Sequence, residues 1–409
     1  MITYDYMQRL KRLEGYAELW RDDKKYIELK AGLYATLFFK HVDPSIHSNE
    51  AIREALIACW QDYWQLVGPE HQKRCYRFSR GVHADKYPSA KVPPIDVFLR
   101  DPENFDVYQY YVYGGVNEDD ASEYCFNLGA FPIYGLPEHP EALGYLKLHA
   151  PLSFVTNGRL AEFVALIKRC AARLQVDQGH GGLGFLRTYN AESTTRAAEY
   201  QLSTVFSGVD IDVPALQLGD IFWSTKGGHI GINSPHWLNF LHDRWVQKLG
   251  GVEAIRAQLP ADHFVVEPYE GGLFIQAGAY PEPGHRDDGL PPNYVLLNQV
   301  LKPIRAPEMG YCYGDTPGEL ARYQGAYEYF TRFDQPEPPK PDPLEENPVY
   351  AMSGEPCPRS GLWSPRSGDV PLPDGYVKKG NRMPMAEWHD SGGQLQRKVV
   401  KWRLVKAMD

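Results

Sequence analysis

Cysteine is scarce in this chain: Cys59, Cys75, Cys125, Cys170, Cys312 and Cys357 are scattered over 409 residues with no close pair. That spacing excludes a disulfide framework and any Cys-x-x-Cys metal or redox pair, and it fits reduced thiols. Long apolar runs are missing too, since nothing approaches the roughly 18 consecutive apolar residues of a membrane helix. The opening Met1-Ile2-Thr3-Tyr4-Asp5-Tyr6 lacks the basic region and apolar core of a secretory leader, so the sequence predicts a protein of the cytoplasm with no membrane partner. Positive charge is short: 43 Lys and Arg against 52 Asp and Glu leave a formal -9, which argues against a surface built to grip nucleic-acid phosphates directly. An acidic surface steers a basic partner instead. There is no Gly-x-Ser-x-Gly elbow and no His-Glu-x-x-His.

What is present is enough for a folded protein. Hydrophobic residues make up 43% and aromatics 13% of the chain, which excludes wholesale disorder, and the length calls for two or three cooperating units. Gly32 to Lys40 reads as a strand. A helix over 50–67 follows, with Ile52, Leu56, Cys59, Trp60, Tyr63 and Val67 on one face and Gly68-Pro69 as its stop. Two aromatic strands, Phe105 to Tyr113 and Glu123 to Tyr134, form a hairpin around the acidic loop Asn117-Glu118-Asp119-Asp120.

The order then recurs: a strand at Tyr145 to Val155 and a helix from Asn157 to Leu174 with Leu160, Phe163, Val164, Ile167, Cys170 and Leu174 on its face. Strands are expected at Gly182 to Arg187, Phe264 to Glu267 and Leu273 to Ala277, with helices at about 190–203, 235–247 and 251–258 between them. Helices at Tyr294 to Leu301 and Thr316 to Phe333 close the body. The predicted fold class is α+β: two related β-α-β-β units with sheets covered by helices, plus a small C-terminal β module. The expected divisions are 1–140 and 141–334 for the units, 335–348 for a proline-rich linker and 349–409 for the module. The linker, with six prolines among fourteen residues, forms neither helix nor central strand and reads as a polyproline-like spacer.

No residue set points to catalysis, a cofactor or a metal. Gly179-His180-Gly181-Gly182-Leu183-Gly184 follows a helix, where a dinucleotide loop follows a strand, so it reads as a turn into a strand. His229, His236 and His242 lack the i, i+4 spacing of a zinc protease. Asp210 and Asp212 could be paired catalytic carboxylates but read first as solvated. Cys357 has no neighbouring base and reads as packed under Trp363. Tyr108, Tyr110, Tyr111 and Tyr113 favour the core over an interface. Glu118, Asp119 and Asp120, and likewise Asp287 and Asp288 in a loop between prolines, are the candidate partner-binding residues, suited to the basic surface of an enzyme that acts on nucleic acid.

A series of segments in order carries a resemblance. These are Gly32 to Phe39 with the helix at 50–67; Gly231 to Leu241 with Leu249-Gly250-Gly251-Val252-Glu253-Ala254-Ile255; Gly271 to Pro281; and Leu301-Lys302-Pro303-Ile304-Arg305. Over roughly residues 25–335 the chain resembles the TsiV family of type VI secretion immunity proteins. Its tail, Gly354-Glu355-Pro356-Cys357-Pro358 to Trp363 followed by Lys379-Gly380 and Met383-Pro384, is similar to a small module of proteins from such loci. The resemblance implies no catalytic residues. It implies a protein that binds and neutralises a cognate effector toxin encoded nearby; the missing leader then points to a toxin acting in the cytoplasm, and the negative charge to one that binds nucleic acid, such as a nuclease. An adaptor that holds the effector without neutralising it is the alternative, and a metal-independent enzyme with His229, Asp287 and Asp288 converging is the third.

Overall fold

The computed structural model describes residues 2–21, 26–40, 50–77, 82–102, 108–130, 143–187, 192–214, 217–218, 231–306, 327–334, 349–366, 375–389 and 395–408. They fall into two compact units, Met1–Pro307 and Glu308–Asp409. The Trp223 to Ile230 stretch, His229 and the proline-rich 335–348 lie outside the described residues.

The first unit is built on one sheet of twelve strands: β1 (Leu19–Arg21), β2 (Tyr26–Lys40), β3 (Arg74–Arg77), β4 (Val82–Lys86), β5 (Tyr108–Tyr113), β6 (Cys125–Ala130), β7 (Leu143–Ala150), β8 (Gln178–Arg187), β9 (Val209–Asp210), β10 (Leu238–His242), β11 (Phe264–Tyr269) and β12 (Gly272–Ala277). The order is β11-β12-β10-β8-β2-β7-β6-β5-β3-β4, with β1 beside β2 and β9 beside β8. All of these pairs are antiparallel except β8 with β9. The strand, helix, strands order holds in each half, and the first strands of the halves, β2 and β7, pair at the centre. The halves lay down their later strands from opposite sides: β3 and β4 start at the edge and β5 and β6 work inward, whereas β8 starts beside β2 and β10 and β12 work outward.

Alternation along the strands gives the sheet two different faces. One row of neighbours runs Leu128, Leu146, Leu37, Gly179, Phe240 and Phe274. This apolar face is covered by the helices Glu50–Val67 and Leu160–Leu174, which pack on each other. Trp60 stands edge-on to Tyr110 at 5.6 Å and to Phe126 at 5.1 Å. Each helix buries the i, i+3, i+4 stripe its sequence predicts, including Leu56, Cys59, Trp60, Tyr63 and Val67 on the first and Phe163, Ile167, Cys170 and Leu174 on the second. Burying one such large side chain contributes about 1.5–3 kcal/mol. Gln175, at φ 44°, ends the second helix in the left-handed conformation.

The helix expected over 235–247 is a correction. Leu238–His242 is strand β10, paired on both sides with β8 and β12, and only Asp243–Lys248 is helical. A five-residue apolar run cannot be assigned by periodicity alone, and the vacant edge of β8 decides it. The glycine-rich Gly179 to Gly184 likewise lies within β8 itself. A Cβ on Gly184 would come 2.5 Å from the Tyr34 ring, so glycine there lets the tyrosine lie across the neighbouring strand.

The second unit carries β13 (Tyr350–Met352), β14 (Gly361–Arg366), β15 (Gly375–Val377), β16 (Ala386–His389), β17 (Leu395–Lys398) and β18 (Lys401–Ala407), a small β module as the sequence predicts. Four of them form the sheet β13-β18-β14-β15, and β16 with β17 is a hairpin. Trp363, Trp402, Leu404, Cys357 and Met383 share its core. The two halves of the tail motif meet through the backbone: Gly380 N–H donates to Cys357 O, Cys357 N–H to Asn381 O and Met383 N–H to Glu355 O. Ser360 Oγ accepts from Lys379 N–H, which ties Ser360-Gly361 to Lys379-Gly380.

Candidate functional site

The second face of the large sheet is polar and closed. One in-register row runs Asn127, Lys147, Thr36, His180 and Asn239 across five adjacent strands. Lys147, Thr36, His180 and Asn239 are all buried, so each needs a partner. Asn239 exchanges hydrogen bonds with the His236 backbone, and for the other three Asp212, with Asp210 at the end of β9 beside it, supplies the partner. The reading of these two aspartates as solvated is corrected: they are 1% and 2% exposed, because β9 lays them over this face.

Asp212 is the hub. Lys147 Nζ lies 3.0 Å from its Oδ2 and donates to its backbone O at 2.9 Å. Thr36 Oγ1 donates to Oδ2 at 2.5 Å, and His180 Nε2 approaches Oδ1 at 3.2 Å. Burial alone would raise this carboxyl's pKa, but the Lys147 ammonium and the hydrogen bonds from His180 and Thr36 outweigh it and hold Asp212 well below the usual carboxylate range. Asp210 accepts from Tyr34 OH at 2.5 Å and lies 3.7 Å from His180 Nε2 and 3.9 Å from His236 Nδ1. The His180 and His236 rings stack with centroids 4.6 Å apart. Alongside, Arg187 pairs with Glu199 at 2.7 Å and donates to Asp212 O. The space next to the cluster, lined by Gln178, His180, Asn233, Ser234 and Asn239, is water-sized. Chemically the cluster offers charge-paired proton donors and acceptors and a convergent His, Asp, His donor set.

His149, two residues along β7 from Lys147 and on the same face, is held neutral. Its Nδ1 lies 3.0 Å from the carbonyl of Ser122, so that nitrogen carries the hydrogen. Burial, with the Lys147 charge adding to it, pushes its pKa down to about 3. In the unfolded chain a histidine titrates near 6.5, so between that pH and about 3 the unfolded state binds more protons. The stability due to neutral His149 is therefore complete above pH ~6.5 and declines as pH falls, by up to about 1.4 kcal/mol per pH unit. Urea midpoints measured from pH 7 down to 5 should drop for the natural chain and drop less for His149→Gln; identical slopes would show that His149 is not the group responsible.

The acidic candidates lie at one end of the same sheet. Successive antiparallel pairs from β12 through β10, β8, β2, β7 and β6 to β5 place the loop after β5 and the loop after β12 on one side. The helix Tyr4–Ala17 lies there as well. Arg12 pairs with Asp287 at 3.0 Å, Arg9 with Glu282 at 2.8 Å, and Tyr6 OH donates to Pro281 O. In the other loop Lys30 of β2 pairs with Glu123, and Ala121 N–H donates to Ile27 O. The five candidates differ in what they do. Asp120 Oδ2 accepts from the Val116 and Asn117 amides and so shapes its own turn. Asp119 accepts from Tyr26 OH at 3.4 Å. Asp287 is taken up by Arg12, and its amide donates to the buried His285. Glu118 and Asp288 are exposed, with no ion pair among the described residues. Beside them stand Val116, 68% exposed, and Leu290, 44% exposed. His229 lies outside the described residues, so its convergence with Asp287 and Asp288 has no geometry. Tyr108, Tyr110, Tyr111 and Tyr113 are all buried.

The broad sheet thus has one polar face closed over by Asp210 and Asp212, and acidic loops at one end. The fold is that of the Pseudomonas aeruginosa T6SS protein PA0821, matched with a TM-score of 0.68 and 25% identity over 81% of this chain and 91% of that one. The chain belongs to the TsiV family, type VI immunity for VRR-NUC, whose profile matches residues 55–333. It is an immunity protein of interbacterial competition that binds and neutralises a cognate type VI effector toxin. No curated protein matches the chain. Among the described residues no helix is long and apolar enough to cross a membrane.

Proposed function

We propose that this chain neutralises a VRR-NUC nuclease stoichiometrically in the cytoplasm, as a binding protein and not as an enzyme, by presenting the acidic end of its large sheet to the nuclease. The single observation that supports this reading is the placement of the Glu118 and Asp288 loops at the same end of the sheet, with the helix Tyr4–Ala17 paired to the second of them. A nuclease needs a positively charged surface for the phosphates of its substrate. Exposed carboxylates flanking Val116 and Leu290 match such a surface in charge and give it apolar anchors. Asp119, Asp120 and Asp287 hold the two loops in shape, while Glu118 and Asp288 face the partner. Residues 349–409 are then a separate attachment to this binding body.

Co-expression of the chain with the nuclease candidate encoded beside it tests the reading. Host growth is restored and the two chains co-purify if it is right. Co-purification without rescue would make the chain an adaptor, and rescue without a complex would remove direct binding.

A further inference from the structure

From the placement of His180, Asp210 and His236, we infer a second site inside the large sheet, one that binds a divalent transition ion such as Zn²⁺ and is distinct from the acidic end. The three side chains come from different segments: His180 from β8, Asp210 from β9 and His236 from the lead-in to β10. One donor atom from each lies within 4.8 Å of the others, and all three residues are buried. In a tetrahedral site with metal–donor bonds of about 2.0–2.1 Å, donors stand roughly 3.3 Å apart. The nearest separations are somewhat longer, His180 Nε2 to Asp210 Oδ2 3.7 Å and His236 Nδ1 to Asp210 Oδ1 3.9 Å, so a small closing movement of the side chains is needed to bring the donors around one ion. Asp212 hydrogen-bonds to His180 but is not one of this mutually close set, so the three protein donors leave the fourth position to water.

Two imidazoles with a carboxylate favour zinc and its neighbours over magnesium or calcium, which take oxygen alone. Bound there, the ion clamps β9 and the start of β10 onto β8 and stiffens the scaffold that carries the loops.

The test uses the full chain, dialysed against a chelator and titrated with Zn²⁺ in competition with a chromophoric indicator. Binding of about one equivalent with submicromolar affinity is expected, weakened about a hundredfold by His180→Gln with His236→Gln. Zinc-edge X-ray absorption of the unmodified protein covers the case in which that variant does not fold, and two imidazoles in an all N/O shell are expected. No stoichiometric binding, sulfur in the shell, or full affinity in a folded variant would overturn the inference. None of these results depends on the partner, so this site and the immunity reading stand or fall separately.

Discussion

Lys147→Met should lower the unfolding free energy by about 3–5 kcal/mol, because it leaves the Asp212 carboxylate buried without its cation. Lys147 is the one ammonium of the in-register row, and it serves Asp212 twice, through Oδ2 and through the backbone carbonyl. Water cannot replace it at an aspartate that is 2% exposed. Methionine retains the stem's volume, so the loss measures charge and hydrogen bonding and not a cavity. Removing both charges, with Lys147→Met and Asp212→Leu together, should return a large part of the stability, since an apolar pair of similar size avoids the desolvation that the ion pair must overcome. Urea unfolding of the two variants beside the natural chain decides the matter. A loss below about 1 kcal/mol for the single change would mean that solvent reaches Asp212.

Reversing Glu118 and Asp288 to lysine together should slow association with the nuclease by about 10- to 100-fold at low salt, with a smaller change in dissociation. These two are chosen because their side chains do nothing for the loops, whereas Asp120→Lys would remove the acceptor of two turn amides and confuse binding with folding. Added salt should narrow the gap between the variant and the natural chain. An association rate that does not change in low salt would take the acidic end of the sheet out of the interface.

Much of the scaffold was legible because its elements are long and amphipathic. The helices Glu50–Val67 and Leu160–Leu174 bury the stripes their spacing predicts, and β12 is the apolar run bounded by glycines. Strand β10 was not legible, since five residues carry too little periodicity and their conformation is set by β8 and β12 on either side. The buried polar face was missed for a similar reason. Tyr34, Thr36, Lys147, His180, Asp210, Asp212 and His236 come from distant segments that only the strand register brings together. A signal existed in β7, where Lys147 and His149 alternate with Leu146 and Leu148 inside a strand buried along its whole length. Polar residues at a spacing of two in such a strand imply a second polar layer above it. The acidic loops were readable as loops, but their sharing one end of the sheet followed only from the antiparallel order.

The central claim is that the chain silences a VRR-NUC nuclease by occupying it. Titrating purified protein into a fixed amount of purified nuclease, with DNA cleavage as the readout, tests this most directly. Activity should fall linearly and vanish at a fixed molar ratio, with the nuclease recovered intact once the complex is dissociated. Full cleavage by a saturated complex, or inactivation by far less than one equivalent of the chain, would contradict it.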